Sequence, residues 1–390
     1  IWAILLVLAA AAAIFWLVPR LAAPTERVGA IGLSSDVVRA VIVEIVEEGE
    51  ITLGERTQPY QILLIEVLEG PWQGQQLKID YGQRQIRPPG LHMEPGDEVL
   101  VTVGQLPDMR LTAYFADFVR VEPLMWLFAT FVLFSVIVSG WKGVRGLLGM
   151  AFSLGVIIFY IIPNILAGKD PLLVSITGAF ILLAVTLYLI YGWTLKTHAA
   201  VLGTLISLVV TGLLAGFFVD LTRLTGFGSE DATFLIQQAN TQINLRGIVL
   251  GGMLVGALGV LDDLVITQAS VVFALHAANP AFHFRRLFRQ AMRVGQDHVA
   301  ATVNTLVLAY VGAALPSMLL FSLSGERVTD LLNLEFIAEE VVRTLVGSLG
   351  LISAVPVTTA LACALALYHD RFGEWRRYLG PEDLGGGHAH

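Results

Sequence analysis

Long apolar runs separated by short polar breaks fill most of the 390-residue chain. A bilayer core is about 30 Å thick, so a helix needs around 20 mostly apolar residues to cross it. Eight runs fit that length: Ile1–Val18, Glu122–Gly140, Gly146–Ala167, Pro171–Tyr191, Ala199–Val219, Gly247–Leu275, Ala300–Phe321 and Val341–Tyr368. Ala22, Ala23 and Pro24 follow the first run as they would a secretory signal peptide, but the run is read here as a retained anchor helix.

Residues 27–121 follow a different period. Short β-branched runs separated by turn signals predict strands near Val37–Val46, Tyr60–Val67, Leu77–Tyr81, Glu98–Val103 and Leu111–Phe115. Pro95-Gly96-Asp97 introduces the fourth of these, and Gly70-Pro71-Trp72-Gln73-Gly74 predicts a tight connection. Five short strands in about 100 residues suggest a small Greek-key or OB-like barrel. The predicted fold is therefore a polytopic α-helical membrane protein of about eight transmembrane helices, with a small all-β domain between helices one and two. Its parts are an anchor helix (1–18), the β domain (27–121), a seven-helix membrane domain (122–368) and a tail (369–390).

Composition agrees with this picture. The chain is 55% hydrophobic and only 14% charged, against roughly 25% charged in a soluble domain, which excludes a water-soluble protein. The single cysteine, Cys363, permits neither a disulfide framework nor a cysteine-built metal site. Half of the 32 acids but only a third of the 24 bases lie between residues 24 and 123, so that stretch carries the entire net charge of −8. An acidic barrel lacks the basic face that phosphate binding requires, so nucleic acid is not an expected partner.

Lys and Arg in the short loops set orientation. Lys142, Arg145, Lys196, Arg285, Arg286, Arg289, Arg293, Arg371, Arg376 and Arg377 fall on one side. That side is predicted to be cytoplasmic, with both termini inside and the β domain outside. The arginines from Arg285 to Arg293 lie on an amphipathic stretch that reads as a helix resting on anionic lipid.

Candidate chemistry lies inside the membrane. Asp262 and Asp263 fall about halfway along the sixth run, where an acid costs about 2.5–3.5 kcal/mol on insertion scales. Gly252, Gly256, Gly259, Asp263, Thr267 and Ser270 recur every three or four residues and form one stripe. That stripe is predicted to face a closely approaching helix, with Gly252, Gly256 and Gly259 as packing positions. Asp262 points about 100° away and needs another partner or a water-filled space. Placing the seventh run antiparallel to the sixth sets Asn304 at the depth of Gln268 and suggests a hydrogen bond between them. His298 lies at the cytoplasmic edge, read as capping or headgroup contact. On the eighth run Glu340 is spaced to pair with Arg343, and Pro356 is expected to free a carbonyl that Thr358 and Thr359 can satisfy.

The sequence resembles the YibE/F-like membrane protein family. The resemblance rests on Gly256-Ala-Leu-Gly-Val-Leu-Asp-Asp-Leu-Val-Ile-Thr-Gln-Ala-Ser270, on Ala278-Asn-Pro280, and on Gly295-Gln-Asp-His-Val-Ala-Ala-Thr-Val-Asn-Thr-Leu-Val-Leu-Ala-Tyr310 with Gly312-Ala-Ala-Leu-Pro316. It runs from about Leu124 to Tyr368. It implies a multi-pass protein of the bacterial inner membrane, sometimes with an extracytoplasmic β module, and no settled activity. In many relatives a single aspartate stands where Asp263 stands here, with Met in place of Asp262, which makes Asp263 the more characteristic of the two.

Two functions are compatible with these residues. The first is a transporter or permease for a small solute or cation. Asp262 and Asp263 would bind the proton or cation, and Thr267, Gln268, Asn304 and Thr358 would supply neutral oxygen ligands suited to a proton or a hard ion. The second is a non-transporting scaffold or accessory subunit whose outer β domain docks a protein partner. Expected partners are the lipid bilayer, a protein at the β domain and a second copy of the chain. No cofactor is expected, and the metal preference stays open. Enzymatic hydrolysis by the paired acids is a distant third, because no nucleophile or catalytic dyad accompanies them.

Overall fold

The computed structural model describes residues 36–54, 56–84, 91–105, 111–239, 242–325, 327–368 and 379–381. The expected span Ile1–Val18 and the tail arginines Arg371, Arg376 and Arg377 lie outside the described residues. The chain divides into two compact units, one up to Val138 and one from Ser139.

The first unit holds five strands: β1 (Asp36–Leu53), β2 (Arg56–Val67), β3 (Gln76–Tyr81), β4 (Glu98–Gln105) and β5 (Leu111–Phe118). They form one antiparallel sheet in the order β3-β2-β1-β4-β5. Alternate residues turn inward, as the pleat requires: Val38, Ala40 and Ile42 on β1, Leu63, Ile65 and Val67 on β2, Val99, Val101 and Val103 on β4 are all buried. The buried Gln61 ties in the segment before β4, its amide donating to the Met93 carbonyl at 3.2 Å while its oxygen accepts from the Met93 N–H at 3.1 Å. The predicted turn is present, with the Gly74 N–H donating to the Val67 carbonyl at 2.8 Å and Gly70 and Gly74 at positive φ.

Two features of this unit depart from expectation. Among the described residues the sheet is open, because no hydrogen-bonded ladder joins β3 to β5. The two edges meet instead through side chains, Tyr81 against Phe115 with centroids 4.9 Å apart and against Phe118 at 6.4 Å. In addition, β1 and β2 run beyond the sheet: from Glu47 to Leu53 and from Arg56 to Tyr60 each strand pairs only with the other. The Tyr60 hydroxyl donates to Glu47 at 2.7 Å on this arm, and its ring covers Gly49, the residue directly opposite.

Ten helices follow in the described residues: α1 (Val121–Val156), α2 (Ile162–Leu166), α3 (Pro171–Tyr191), α4 (Leu195–Leu221), α5 (Glu230–Gln238), α6 (Leu245–Ala278), α7 (Phe284–Ala313), α8 (Leu315–Ser324), α9 (Val328–Leu331) and α10 (Glu335–Tyr368). Five stretches are long and apolar enough to cross a membrane, or six if the bent pair α7–α8 counts as one span. Eight is therefore not the number the described residues give. The two spans expected either side of Gly140 share one 46-residue stretch, Val121–Leu166. Gly140 breaks that stretch with φ 56 and ψ −135, a conformation open to glycine. A π-helical turn, Ile157–Ile161, precedes Pro163, whose missing N–H and bulky ring disturb the turn before it. The seventh expected span is not straight either: α7 and α8 meet at 60°, with Pro316 in the first turn of α8.

Caps explain why α4 and α6 begin earlier than the apolar runs alone suggested. Thr194 accepts from the Thr197 N–H at 3.2 Å and Asn244 from the Gly247 N–H at 3.1 Å, each satisfying a donor that the first helical turn leaves unpaired. Two seams of small residues then bring helices together. On α4 and α10, Gly203 packs on Thr358 and Gly350 on Thr211, so the helices run antiparallel. On α3 and α6, Gly247 meets Pro171 and Gly251 meets Ser175, so these run parallel. Close backbone approach of this kind replaces the hydrophobic drive that lipid does not provide. Lys196, Arg285, Arg286, Arg289 and Arg293 fall at one end of this helical unit, and Lys169, Arg223, Arg246 and Arg327 at the other.

Candidate functional site

Helix α6 stands at the centre of the second unit, against α3, α4, α7 and α10. Asp262 is 17 residues from its first residue in a helix of 34, roughly 26 Å along the axis at about 1.5 Å per residue. One Asp262 carboxyl oxygen, Oδ1, is buried and has no hydrogen-bond partner. Beside the carboxyl lies Thr204 on α4, a buried residue whose hydroxyl donates to the Ala200 carbonyl at 3.1 Å. The single Thr204 proton serves either the Ala200 carbonyl or a charged Asp262 carboxylate, and a hydroxyl lone pair stays open to a protonated Asp262. Tyr191, half-buried at the end of α3, stands within electrostatic reach of both aspartates. Sequence reasoning named neither Thr204 nor Tyr191. The buried polar series Thr204, Ser207, Thr211 at three- and four-residue spacing was the signal for the first. Nothing local marked the second.

Asp263 is exposed, as are Gly252, Gly256 and Gly259 on the same stripe. A side chain added at Gly252 or Gly259 would meet nothing within 4 Å, and at Gly256 only the Tyr310 hydroxyl at 4.0 Å. The close helix contact expected along this stripe is thus not made among the described residues. The glycines that permit close contact on α6 are Gly247 and Gly251, which lie on the face turned to α3. Thr267 is half-buried, one turn beyond Asp263.

The expected bond from Gln268 to Asn304 is replaced by another arrangement. Gln268 is buried and donates to the Thr359 hydroxyl at 2.7 Å and to the Ala291 carbonyl at 3.1 Å. Gly295 leaves room for this, since a Cβ there would come within 2.8 Å of the Gln268 Oε1. Gln268 meets Ala291 while Gly256 faces Tyr310, so Asn304 lies between those levels, and it is exposed. Reckoning from the apolar run misplaced it because α7 begins at Phe284, well before that run. Thr358 is buried against Gly203, next in sequence to Thr204, and its hydroxyl has no partner. Thr359 donates to the Val355 carbonyl at 2.6 Å, so it does not serve the carbonyl of Ile352 that Pro356 frees. The structure therefore gathers Asp262, Asp263, Thr204 and Tyr191, and assigns Gln268 to a packed junction of α6, α7 and α10.

Near the opposite end of α10, Arg343 pairs with Glu340 at 2.7 Å, as its spacing predicted, and also with Glu339. Among the described residues no group of three or more His, Cys, Asp or Glu side chains is placed to hold a metal ion. The fifteen-residue aspartate string thus lies on the central helix α6, and the α7 string carrying the resemblance meets it at the buried Gly295. Searches of curated proteins and of solved structures return no match. Residues 127–367 match the model of the YibE/F-like protein family, more than half of the chain and nearly all of the helical region, and the chain belongs to that family.

Proposed function

We propose that the protein is a membrane transporter or permease for a small solute or cation, in which Asp262 and Asp263 bind a proton or cation midway across the bilayer. The observation that carries this reading is the buried Asp262 oxygen without a partner. A carboxylate so placed is expensive, and a proton or cation arriving there removes the expense. A protonated Asp262 could donate to the free lone pair of Thr204, and Tyr191 adds a third oxygen close to both acids. In this reading the end bearing Lys196 and Arg285 to Arg293 faces the cytoplasm, by the rule for basic loops, and the β unit is extracytoplasmic in the bacterial inner membrane. The strand order and the Tyr81–Phe115 contact between the sheet edges support an OB-like barrel for that unit.

The test is to reconstitute the chain in liposomes loaded with a pH-reporting dye and to impose gradients of Na+, K+, Li+ and Mg2+ in turn. At least one gradient is expected to drive proton movement above that of empty liposomes. A second reading, a scaffold that does not transport, has one observation in its favour: the two-stranded arm of β1 and β2 carries Glu44, Glu47, Glu48 and Glu50 beyond or at the border of the sheet, where a partner could reach them. Removing the arm would then abolish partner binding, and every gradient would leave the liposome pH unmoved.

A further inference from the structure

A cleft opens between α6, α7 and α10, lined among others by Gly256 and Val260, by Leu306 and Tyr310, and by Arg343 and Gly347. It measures about 270 Å3 with its open mouth and leaves room at its centre for about one water molecule. We infer that this cleft is a water path that carries protons to Asp263 and, through it, to Asp262. The inference rests on the carboxylate reading above and narrows it: the particle delivered by this route is a proton on water, because a solute of several heavy atoms does not fit.

Four observations support the path. Gly256 and Gly347 both line the cleft without being needed for packing: an added Cβ would lie 4.0 Å from the Tyr310 hydroxyl in one case and 3.9 Å from Leu306 in the other. Elsewhere in the same unit, at Gly203, Gly251, Gly295 and Gly350, an added Cβ would collide with a neighbouring helix. At Gly256 and Gly347 the missing side chain keeps the cleft open. Second, the Arg343 Nε is buried and has no hydrogen-bond partner, while the other guanidinium nitrogens bind Glu339 and Glu340. A water in the cleft is the group that would satisfy it. Third, the Tyr310 hydroxyl adds a second polar group to the wall. Fourth, Val260 at the inner end is one helical turn from Asp263 and two from Thr267, on the same side of α6.

The transfer is balanced: a hydronium ion gives its proton to the Asp263 carboxylate, one O–H bond breaks as another forms, and a neutral water remains. Tyr191 on α3 stands within electrostatic reach of both aspartates, Tyr310 on α7 and Arg343 on α10 line the cleft, and Glu339 and Glu340 pair with Arg343. On α4 the neighbour is the neutral Thr204.

Infrared difference spectroscopy on the full chain in lipid tests the path. A protonated carboxyl band should appear on acidification, be lost in Asp263→Asn or Asp262→Asn, and shift on transfer to D2O. Gly256→Leu and Gly347→Leu plug the cleft from two different helices and should each slow that shift by roughly tenfold, a barrier increase of about 1.4 kcal/mol. Gly252→Leu, on the same stripe but outside the cleft, should leave it unchanged. An unaltered rate in both plugged variants, or equal slowing by Gly252→Leu, overturns the path and leaves the carboxylate site standing. Absence of any carboxyl band that disappears in the two Asn variants overturns the site itself, and the path with it.

Discussion

Gly203 on α4 and Thr358 on α10 approach so closely that a methyl group on Gly203 would overlap the Thr358 hydroxyl and lie 3.1 Å from its Cβ. The Cβ is fixed to the α10 backbone and cannot swing away. Gly203→Ala is therefore expected to push the two helices apart and destabilise the protein by about 1–3 kcal/mol. Thr358→Ala should restore most of that loss when combined with it, because the two positions share one contact. Thermal unfolding of the four proteins in one detergent measures the cycle, and purely additive effects would show that the seam is not as tight as described.

Gln268 joins three helices. Both of its amide hydrogens are committed, one to Thr359 and one to the Ala291 carbonyl. Gln268→Leu should lower stability by about 1–3 kcal/mol, the cost of leaving buried polar groups unpaired. The concentration of any cation giving half-maximal proton movement in liposomes should stay as in the wild type. A large change in that concentration with unchanged stability would return Gln268 to the binding site.

Glu335 anchors the loop after α4. Its carboxylate accepts from the Thr225 and Gly226 N–H groups at 2.5 and 2.8 Å and from the Thr225 hydroxyl at 2.8 Å. Gly226, at φ +87, is pressed against the Leu245 backbone and cannot be replaced without strain. Glu335→Ala should expose the Thr225 and Gly226 amides to hydrogen exchange, with a local loss of about 1 kcal/mol, and Glu335→Gln should give an intermediate effect. Protection that is identical in all three proteins would show that the loop is held by other contacts.

In the β unit, the Phe118 N–H first and the Arg120 guanidinium second hold the Asp117 carboxyl below the usual carboxylate range. A carboxyl whose folded value is depressed adds stability above its unfolded value and loses it as the pH falls through the folded one. Arg120→Ala should raise the Asp117 titration only part of the way to normal, because the larger cause remains. Side-chain NMR titration of the two proteins reads this directly, and a complete return to the ordinary value would make Arg120 the dominant partner.

The parts of the fold that were legible in the sequence are those with a short period or a local signal. All five strands fall where β-branched runs and turn residues placed them, and Glu340–Arg343 pair as their spacing indicated. What depended on distant segments was not legible. The extra length of β1 and β2 comes from pairing with each other beyond the sheet, which alternation alone does not bound. The depth of Asn304 and the partners of Gln268 depend on where α7 starts and how it crosses α6. Of the candidate site, the mid-helix position of Asp262 and Asp263 was readable from the run that contains them. Thr204 and Tyr191 were not, because only the packing of α3 and α4 onto α6 brings them there.

The central claim is that a mid-membrane carboxylate carries the transported charge, and the most direct measurement compares the wild type with Asp262→Asn and Asp262→Glu in dye-loaded liposomes under the same cation gradient. Asparagine keeps the volume and a hydrogen-bonding oxygen but cannot exchange a proton, so proton movement should vanish in Asp262→Asn and persist in part in Asp262→Glu. Movement in Asp262→Asn at the wild-type rate would contradict the account.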